Sequence, residues 1–405
     1  MKLIERTEYL DVLKRVRGTP DIKVVTGIHR SGKSKLLDSF ATWIGKNDKK
    51  ANVIKINFNL SKFKNQMNSE ALEEFAEQSY RPKKNNYLLI DEVQLCESFE
   101  KALNSLHASE KYDIYVTGSN AFLLSSDLAT LFTGRTFEIQ IFPFSFAEYT
   151  RYYKPKNIDA SFDAYVKEGG MAGSYLYKME NEKFRYIGED VFNTLVVRDI
   201  VQKYKIRNKV FIEKLIDFLM DNVGNITSTR NIAKTISAVG DATNHKTIGA
   251  YIDYLCKAFA FYKVRRYDIR GKRYLTTEDK YYLCDHSFRY ARLGTRNMDY
   301  GHIYENIVAM ELMRRGYQLY VGVLYKKEID FVAMKHDEKL YIQVSDNITA
   351  ESTFEREVTP LLGIKDAYPK ILIARTNHET FQYEGIKVVD ISRWLLGMEL
   401  GYEVP

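Results

Sequence analysis

Cysteine is scarce in this chain, and the few there are sit far apart. Only Cys96, Cys256 and Cys284 occur in 405 residues. An odd number without a Cys-x-x-Cys pair offers neither a disulfide framework nor a zinc site. Long apolar runs are missing too: no stretch approaches the roughly 18 consecutive apolar residues of a membrane helix. The N-terminus, MKLIERTEYLDVLKR, alternates charge with apolar side chains and lacks the uninterrupted apolar core of a secretory signal. Tandem repeats and low-complexity stretches are also lacking. These absences point to the cytoplasm and to no membrane partner.

What is present is ordinary globular material. At roughly 150 residues per domain, 405 residues suggest two or three domains. Hydrophobic residues make up 45% and charged residues 28%, which excludes a disordered or fibrous chain. The net charge of +7, from 60 basic and 53 acidic residues, permits nucleic-acid contact without requiring it.

The sharpest local signal lies near the N-terminus. Lys23-Val24-Val25-Thr26 reads as a buried strand. Gly27-Ile28-His29-Arg30-Ser31-Gly32-Lys33-Ser34 follows and fits G-x-x-x-x-G-K-[ST] without a mismatch. Lys35 to Phe40 then reads as a helix. Glycines let several backbone N–H groups turn toward one anion, and the helix N-terminus adds free donors and a favourable dipole. Lys33 brings a point charge to the β- and γ-phosphates of ATP, and the Ser34 hydroxyl is suited to Mg²⁺. Gly27, Arg30, Ser31, Gly32, Lys33, Ser34 and Lys35 are the expected nucleotide-binding residues.

A second apolar strand, Asn86-Tyr87-Leu88-Leu89-Ile90, ends in Asp91-Glu92. Adjacent carboxylates repel unless a cation or water offsets them. Asp91 is the expected metal ligand through water, and Glu92 the base that polarises the attacking water. A third strand, from Asp113 to Thr117, runs into Gly118-Ser119-Asn120. Ser119 and Asn120 are candidates for sensing the γ-phosphate or positioning water, with a plain turn as the alternative. Arg135, in Phe132-Thr133-Gly134-Arg135, is a candidate arginine finger in cis or across subunits, or a surface ion-pair arginine.

The runs GIHRSGKS, LLIDEVQ, VTGSNAFLLSSDLATLFTGR and IFPFSFAEY together resemble a prokaryotic family of AAA-type ATPases whose chains end in a small domain of unknown function. The segment from Ile141 to Tyr149 is the most family-specific part, and the resemblance spans nearly the whole chain. It implies a parallel sheet sandwiched by helices for about residues 1–150. Lys35 departs from the small residue common in the family. Val196-Val197-Arg198-Asp199-Ile200 resembles a further family motif in the region between domains, to which no chemistry is attached.

Residues 151–206 read as helical and tyrosine-rich. Phe211, Leu215, Phe218 and Leu219 then recur at helical spacing. Ser228 or Thr229 is placed to cap a second helix and Asn244 a third, with a turn at Gly240-Asp241 between them. Two strand-like runs, Phe259 to Tyr267 and Arg273 to Thr277, flank a turn. Three helices and a hairpin make a winged helix-turn-helix. Its wing carries Lys263, Arg265, Arg266, Arg270, Lys272 and Arg273, and its third helix starts at His245-Lys246. These suit phosphate contacts with little sequence specificity, while an intramolecular lid or protein-contact module is the alternative.

In the last third, an amphipathic helix from Ile303 to Arg315 carries Glu305. Strands at Gln318 to Leu324, Glu328 to Ala333 and Lys339 to Val344 follow, with Asp330 on the second. This outline resembles the restriction-endonuclease-like fold, whose pattern is Asp, a spacer, then Glu-x-Lys. Here Gln343 stands for the Glu and Ser345 for the Lys. A neutral amide is a weak metal ligand and serine brings no positive charge. Lys326, Lys327 and Lys339 are the nearby candidates to replace the lysine.

The expected architecture is therefore α/β: an AAA-type P-loop ATPase domain (1–150), a helical connector (151–207), a winged helix-turn-helix (208–285), and a small restriction-endonuclease-like domain (286–405) without its full catalytic set. The expected chemistry is Mg²⁺-dependent ATP hydrolysis, with Lys33, Glu92, Asn120 and Arg135 catalytic and Ser34 and Asp91 at the metal, driving engagement of DNA or a protein partner. A nucleotide-gated binding module with little turnover and an ATP-regulated nuclease are the alternatives. Oligomerisation is compatible with all three.

Overall fold

The structure is a computed structural model that describes residues 4–118, 132, 134–237, 244–295, 299–376 and 378–397. Ser119, Asn120 and the expected turn at Gly240-Asp241 lie outside the described residues. The chain forms two compact units. One runs up to Ile141, and the other begins at Phe142, apart from the short segment Lys257–Phe259.

The first unit alternates helices and strands: α1 (Thr7–Arg15), β1 (Ile22–Thr26), α2 (Lys33–Asn47), β2 (Ala51–Asn57), α3 (Ser69–Ser79), β3 (Asn85–Asp91), α4 (Phe99–Ala108), β4 (Asp113–Thr117) and β5 (Thr136–Gln140). The five strands are parallel neighbours in the order β2-β3-β4-β1-β5. Strand side chains alternate between faces, and both faces are apolar. Val24, Ile54, Ile56, Leu88 and Ile90 join the core that takes in Leu72 of α3 and Leu103 of α4. Val25, Tyr87, Leu89, Tyr115 and Ile139 join the core with Leu10 of α1 and Leu37 and Phe40 of α2. Both faces of the sheet are thus covered by helices. The phosphate loop and Asp91-Glu92 lie at the C-terminal ends of β1 and β3, where crossovers leave a crevice, whereas Arg135 precedes β5.

The second unit opens with α5 (Phe146–Tyr153), α6 (Ile158–Glu168) and α7 (Glu180–Arg185), a π-helix (Tyr186–Val197) and α8 (Arg198–Lys203). Three helices follow: α9 (Lys209–Asp221), α10 (Thr229–Ser237) and α11 (His245–Lys257). Ser228 accepts from the Asn231 amide at 3.2 Å and Asn244 from the Thr247 amide at 2.9 Å, so both expected caps form. The antiparallel hairpin is β6 (Phe261–Asp268) and β7 (Arg273–Leu283), longer than the sequence pattern suggests.

The remaining elements are α12 (Ser287–Leu293), α13 (Tyr300–Arg314), β8 (Gln318–Leu324), β9 (Lys327–Lys335), β10 (Glu338–Ser345), α14 (Glu351–Leu362), β11 (Lys370–Ala374), β12 (Phe381–Tyr383), β13 (Ile386–Asp390) and α15 (Ile391–Leu395). The hairpin does not stand alone as a wing. Strand β6 pairs in parallel with β8, so one eight-stranded sheet, β12-β13-β11-β10-β9-β8-β6-β7, crosses the expected boundary at 285/286. Nor is α13 amphipathic. Every residue from Ile303 to Leu312 is buried, including Glu305 and Glu311, so no face of its middle is left to water.

Candidate active site

The phosphate loop is shaped by backbone demands. Gly27 has φ 136°, and a Cβ there would come within 2.2 Å of the Ile141 carbonyl oxygen. Ile141 is fixed by its amide hydrogen bond to Thr26, 2.8 Å, so no larger residue fits. Gly32, at φ 99°, turns the chain into α2, whose N-terminus no side chain caps. Its first-turn N–H groups are therefore open to an anion. The buried Ser31 hydroxyl has no hydrogen-bond partner among the described residues. An uncapped helix start beside an orphaned hydroxyl fits a bound phosphate.

Lys33 is buried and donates to the carbonyls of Gly27 and Ile28, both at 2.9 Å. Burial lowers its pKa to about 8, against the opposing pull of Glu92 and Asp91. The ammonium is held by weak carbonyl dipoles, which a phosphate would outcompete. Arg30 is exposed, and the Lys35 side chain reaches outward toward Asp38, 3.7 Å away, so it is not brought to the loop. Arg6, which sequence reasoning passed over, is buried and donates to the Ser31 carbonyl at 2.7 Å, bracing the loop from the start of α1.

Asp91 is the hub of the polar network. Its Oδ1 accepts from Ser34 Oγ at 3.0 Å and Thr117 Oγ1 at 2.5 Å; its Oδ2 accepts from Asn57 Nδ2 at 2.8 Å. Burial raises its pKa, and the Thr117 and Ser34 hydrogen bonds oppose that rise. Ser34 and Asp91 thus meet directly, near enough to face one divalent cation. Glu92, in the left-handed region at φ 56°, donates its amide to Thr117 Oγ1 at 3.1 Å, and its carboxylate accepts from Gln94 at 2.5 Å. A non-glycine residue held there is locally strained, a feature that collects at functional sites. Thr117 and Asn57 are polar residues ending apolar strands. A polar residue closing an apolar strand is the signal the sequence carries for them.

Arg135 is not brought to the loop. Its backbone pairs with Ile22, at the start of β1, and the next residue, Thr136, lies opposite Ile22 in parallel register. The length of β1, roughly 13 Å at 3.3 Å per residue, separates it from Gly27.

The C-terminal acids converge on a residue no motif marked. Glu305 and Asp330 face Lys280 on β7, whose Nζ lies 2.7 Å from Glu305, 2.6 Å from Glu328 and 3.7 Å from Asp330. Tyr282 donates to the same Glu305 oxygen at 2.5 Å. Asp330 Oδ2 accepts from the Val344 amide at 2.8 Å. Gln343 bridges the Asp330 amide (3.3 Å) and Glu357 (3.0 Å), and Ser345 turns back to the Asn347 carbonyl. Burial opposes the charge on Lys280, but the three carboxylates raise its pKa. Asp330 is pushed up to about 8 by burial and by Glu305, with Lys280 opposing. Lys339 lies instead among the rings of Tyr267, Tyr341 and Tyr368.

Fold and loop define the class: an AAA-type P-loop ATPase domain. A family model described as an AAA domain matches residues 19–150, and a domain of unknown function matches residues 159–299. The chain belongs to the same family as an uncharacterized Haemophilus influenzae protein, 37% identical over 404 residues, covering 97% of this chain and 99% of that one. The uncharacterized protein MJ1544 of Methanocaldococcus jannaschii is 27% identical over 353 residues, covering 83% and 77%. Similar solved structures include domain III of the Thermotoga maritima replication initiation protein DnaA, at 20% identity and TM-score 0.32, covering 43% of this chain and 83% of that one. AMPPCP-bound DnaA from Aquifex aeolicus is 18% identical, at TM-score 0.33, covering 62% and 88%. Among the described residues no helix is long and apolar enough to cross a membrane.

Proposed function

We propose that this chain hydrolyses ATP at the 27–34 loop and uses the cycle to engage DNA or a protein partner through its second unit. The carrying observation is the hub at Asp91, which draws Ser34, Thr117 and Asn57 together beside the uncapped start of α2. Ser34 and Asp91 would hold Mg²⁺, which when bound neutralises charge on the β- and γ-phosphates. The loop amides and Lys33 bind and orient the phosphates. Glu92, anchored through Thr117 and Gln94, accepts the proton of the attacking water. Arg135 serves a nucleotide held by a second copy of the chain, a role its distance from its own loop supports.

The test is nucleotide turnover. Lys33→Ala should abolish ATP binding, and undiminished turnover in that variant would refute the proposal. Glu92→Gln should bind ATP but lower turnover by about 10²–10⁴-fold, the usual contribution of a positioned base.

A binding role for the second unit is favoured over cleavage. Gln343 stands where the pattern needs a Glu and is tied to Glu357, and the Lys280 ammonium already bonds the acids that remain. DNA engagement rests on the three helices α9 to α11 and the basic hairpin, with little sequence specificity expected.

A further inference from the structure

The hairpin's charges fall into two groups. Lys263, Arg266 and Arg273 are paired with Asp279 (2.8 Å), Glu278 (2.6 Å) and Asp268 (3.3 Å). Arg265, Arg270 and Lys272 have no carboxylate partner among the described residues. Arg270 sits beside a tyrosine ring, and Arg265 lies opposite Tyr320 in the sheet. Tyr274 packs between Tyr267 and Tyr320, at centroid distances of 5.5 and 5.0 Å, and Tyr267 and Tyr320 are 6.0 Å apart. These rings come from β6, β7 and β8, and the parallel pairing of Arg265 with Tyr320 and Asp268 with Val323 lines them up. The same pairing sets the β6–β7 turn beside the β8–β9 turn, where the Arg270 guanidinium lies 5.2 Å from the Tyr325 ring.

Tyr267 is buried in the core and Tyr320 packs against it, whereas the outer two rings are left open. Tyr325 is 71% exposed and Tyr274 57%. Aromatic faces next to unpaired cations match one chemistry above others: unstacked bases on a phosphate backbone. A duplex keeps its base faces stacked inside, so it cannot use such rings. An acidic polypeptide would answer the charge but not the ring faces.

We propose that the β6–β7 hairpin and the β8–β9 turn form a platform for single-stranded nucleic acid, with Tyr274 and Tyr325 stacking bases and Arg265, Arg270 and Lys272 contacting phosphates. This deepens the DNA reading above and moves it from the start of α11 to the sheet. The unpaired cations give affinity and the rings give preference for single strands.

The test is fluorescence anisotropy with a labelled thirty-nucleotide oligo(dT), a duplex of equal length and poly-glutamate as competitor. The full chain should bind oligo(dT) more tightly than the duplex and resist poly-glutamate. Tyr274→Ala and Tyr325→Ala should each weaken binding by about tenfold, within the range known for single stacked bases, while Tyr274→Phe should retain it. The highly exposed Tyr325 variant keeps the test sound if Tyr274→Ala disturbs the fold. Arg270→Ala with Lys272→Ala should reduce the slope of log affinity against log salt by about 1.4, at about 0.7 per phosphate contact. Duplex preference, equal displacement by poly-glutamate, or unchanged affinity in both ring variants overturns the platform. Duplex binding that falls in Lys246→Ala but not in Tyr274→Ala overturns the platform while keeping DNA as partner. Binding to no oligonucleotide overturns both.

Discussion

Two lysines in this molecule lie close to acid clusters, and they are handled in opposite ways. Lys33 sits near Asp91 and Glu92 but bonds only to loop carbonyls, and burial lowers its pKa to about 8. Lys280 bonds directly to Glu305 and Glu328, and its pKa is raised. Around Lys33 several groups await a partner: the uncapped α2, the orphaned Ser31 hydroxyl, and two oxygen ligands in contact. Around Lys280 one ammonium already bonds two of the three acids within the chain. On the reading proposed above, the loop is left electrostatically incomplete for an anion and a metal, while the acids around Lys280 already hold a cation of their own. The contrast teaches that carboxylates at matching places in a fold do not by themselves define a metal site. What matters is whether a positive charge is already there.

The comparison can be broken at either end. The largest effect should come from Lys280→Ala. Removing one member of a buried ion cluster leaves uncompensated charge and typically costs about 3–5 kcal/mol. Urea unfolding should show this as an earlier transition of the second unit, with ATP affinity unchanged. If the variant is as stable as the parent, or if Mn²⁺ raises its melting temperature by several degrees, the acids are a metal site that Lys280 merely fills. Thr117→Val tests the other region. It strips Asp91 and the Glu92 amide of a shared hydroxyl, a loss of about 1–3 kcal/mol for a buried polar pair. Turnover should drop roughly 10- to 100-fold through misplacement of Glu92, while ATP affinity stays close to that of the parent. Equal turnover would remove Thr117 from the site.

The smallest effect is a pH dependence. The folded pKa of Lys33, about 8, lies below its ordinary 10.5. Without nucleotide, Lys33 loses its proton as pH rises through about 8, whereas bound phosphate favours the charged form. Affinity for ATP should be level below that point and fall above it by up to about tenfold per pH unit. For folding the sign is opposite. Between about 8 and 10.5 the unfolded chain binds more protons, so this group makes the folded state relatively more stable as pH rises. Titration calorimetry from pH 7 to 9.5 checks the first statement, and an affinity that stays flat would show that Lys33 is not the phosphate contact.

The parts legible in the sequence are those whose geometry is set by neighbours along the chain. A loop of eight consecutive residues, from Gly27 to Ser34, carries its own backbone instructions. The Asp91-Glu92 pair ends an apolar run, and Ser228 and Asn244 announce their helices within three residues. Other features were misjudged because periodicity cannot report what packs on each face. The α13 pattern looks one-sided, yet Glu305 is buried because Lys280 and Tyr282 meet it from β7. The hairpin looks like a free wing, yet β8 pairs along β6.

The phosphate loop, the paired-acid strand, and three helices, two of them with cap residues, before a basic hairpin could all be read from neighbours along the chain. Only the tertiary structure decided that Asn57 and Thr117 share Asp91, that Arg135 stands at the far end of β1, and that Lys280 sits against Glu305 and Asp330. The reason is physical. Local motifs are fixed by dihedrals and hydrogen bonds between near neighbours. Convergence is fixed by strand order and register, such as Asn57 opposite Asp91 across the parallel β2–β3 pair, and those depend on how whole faces bury together.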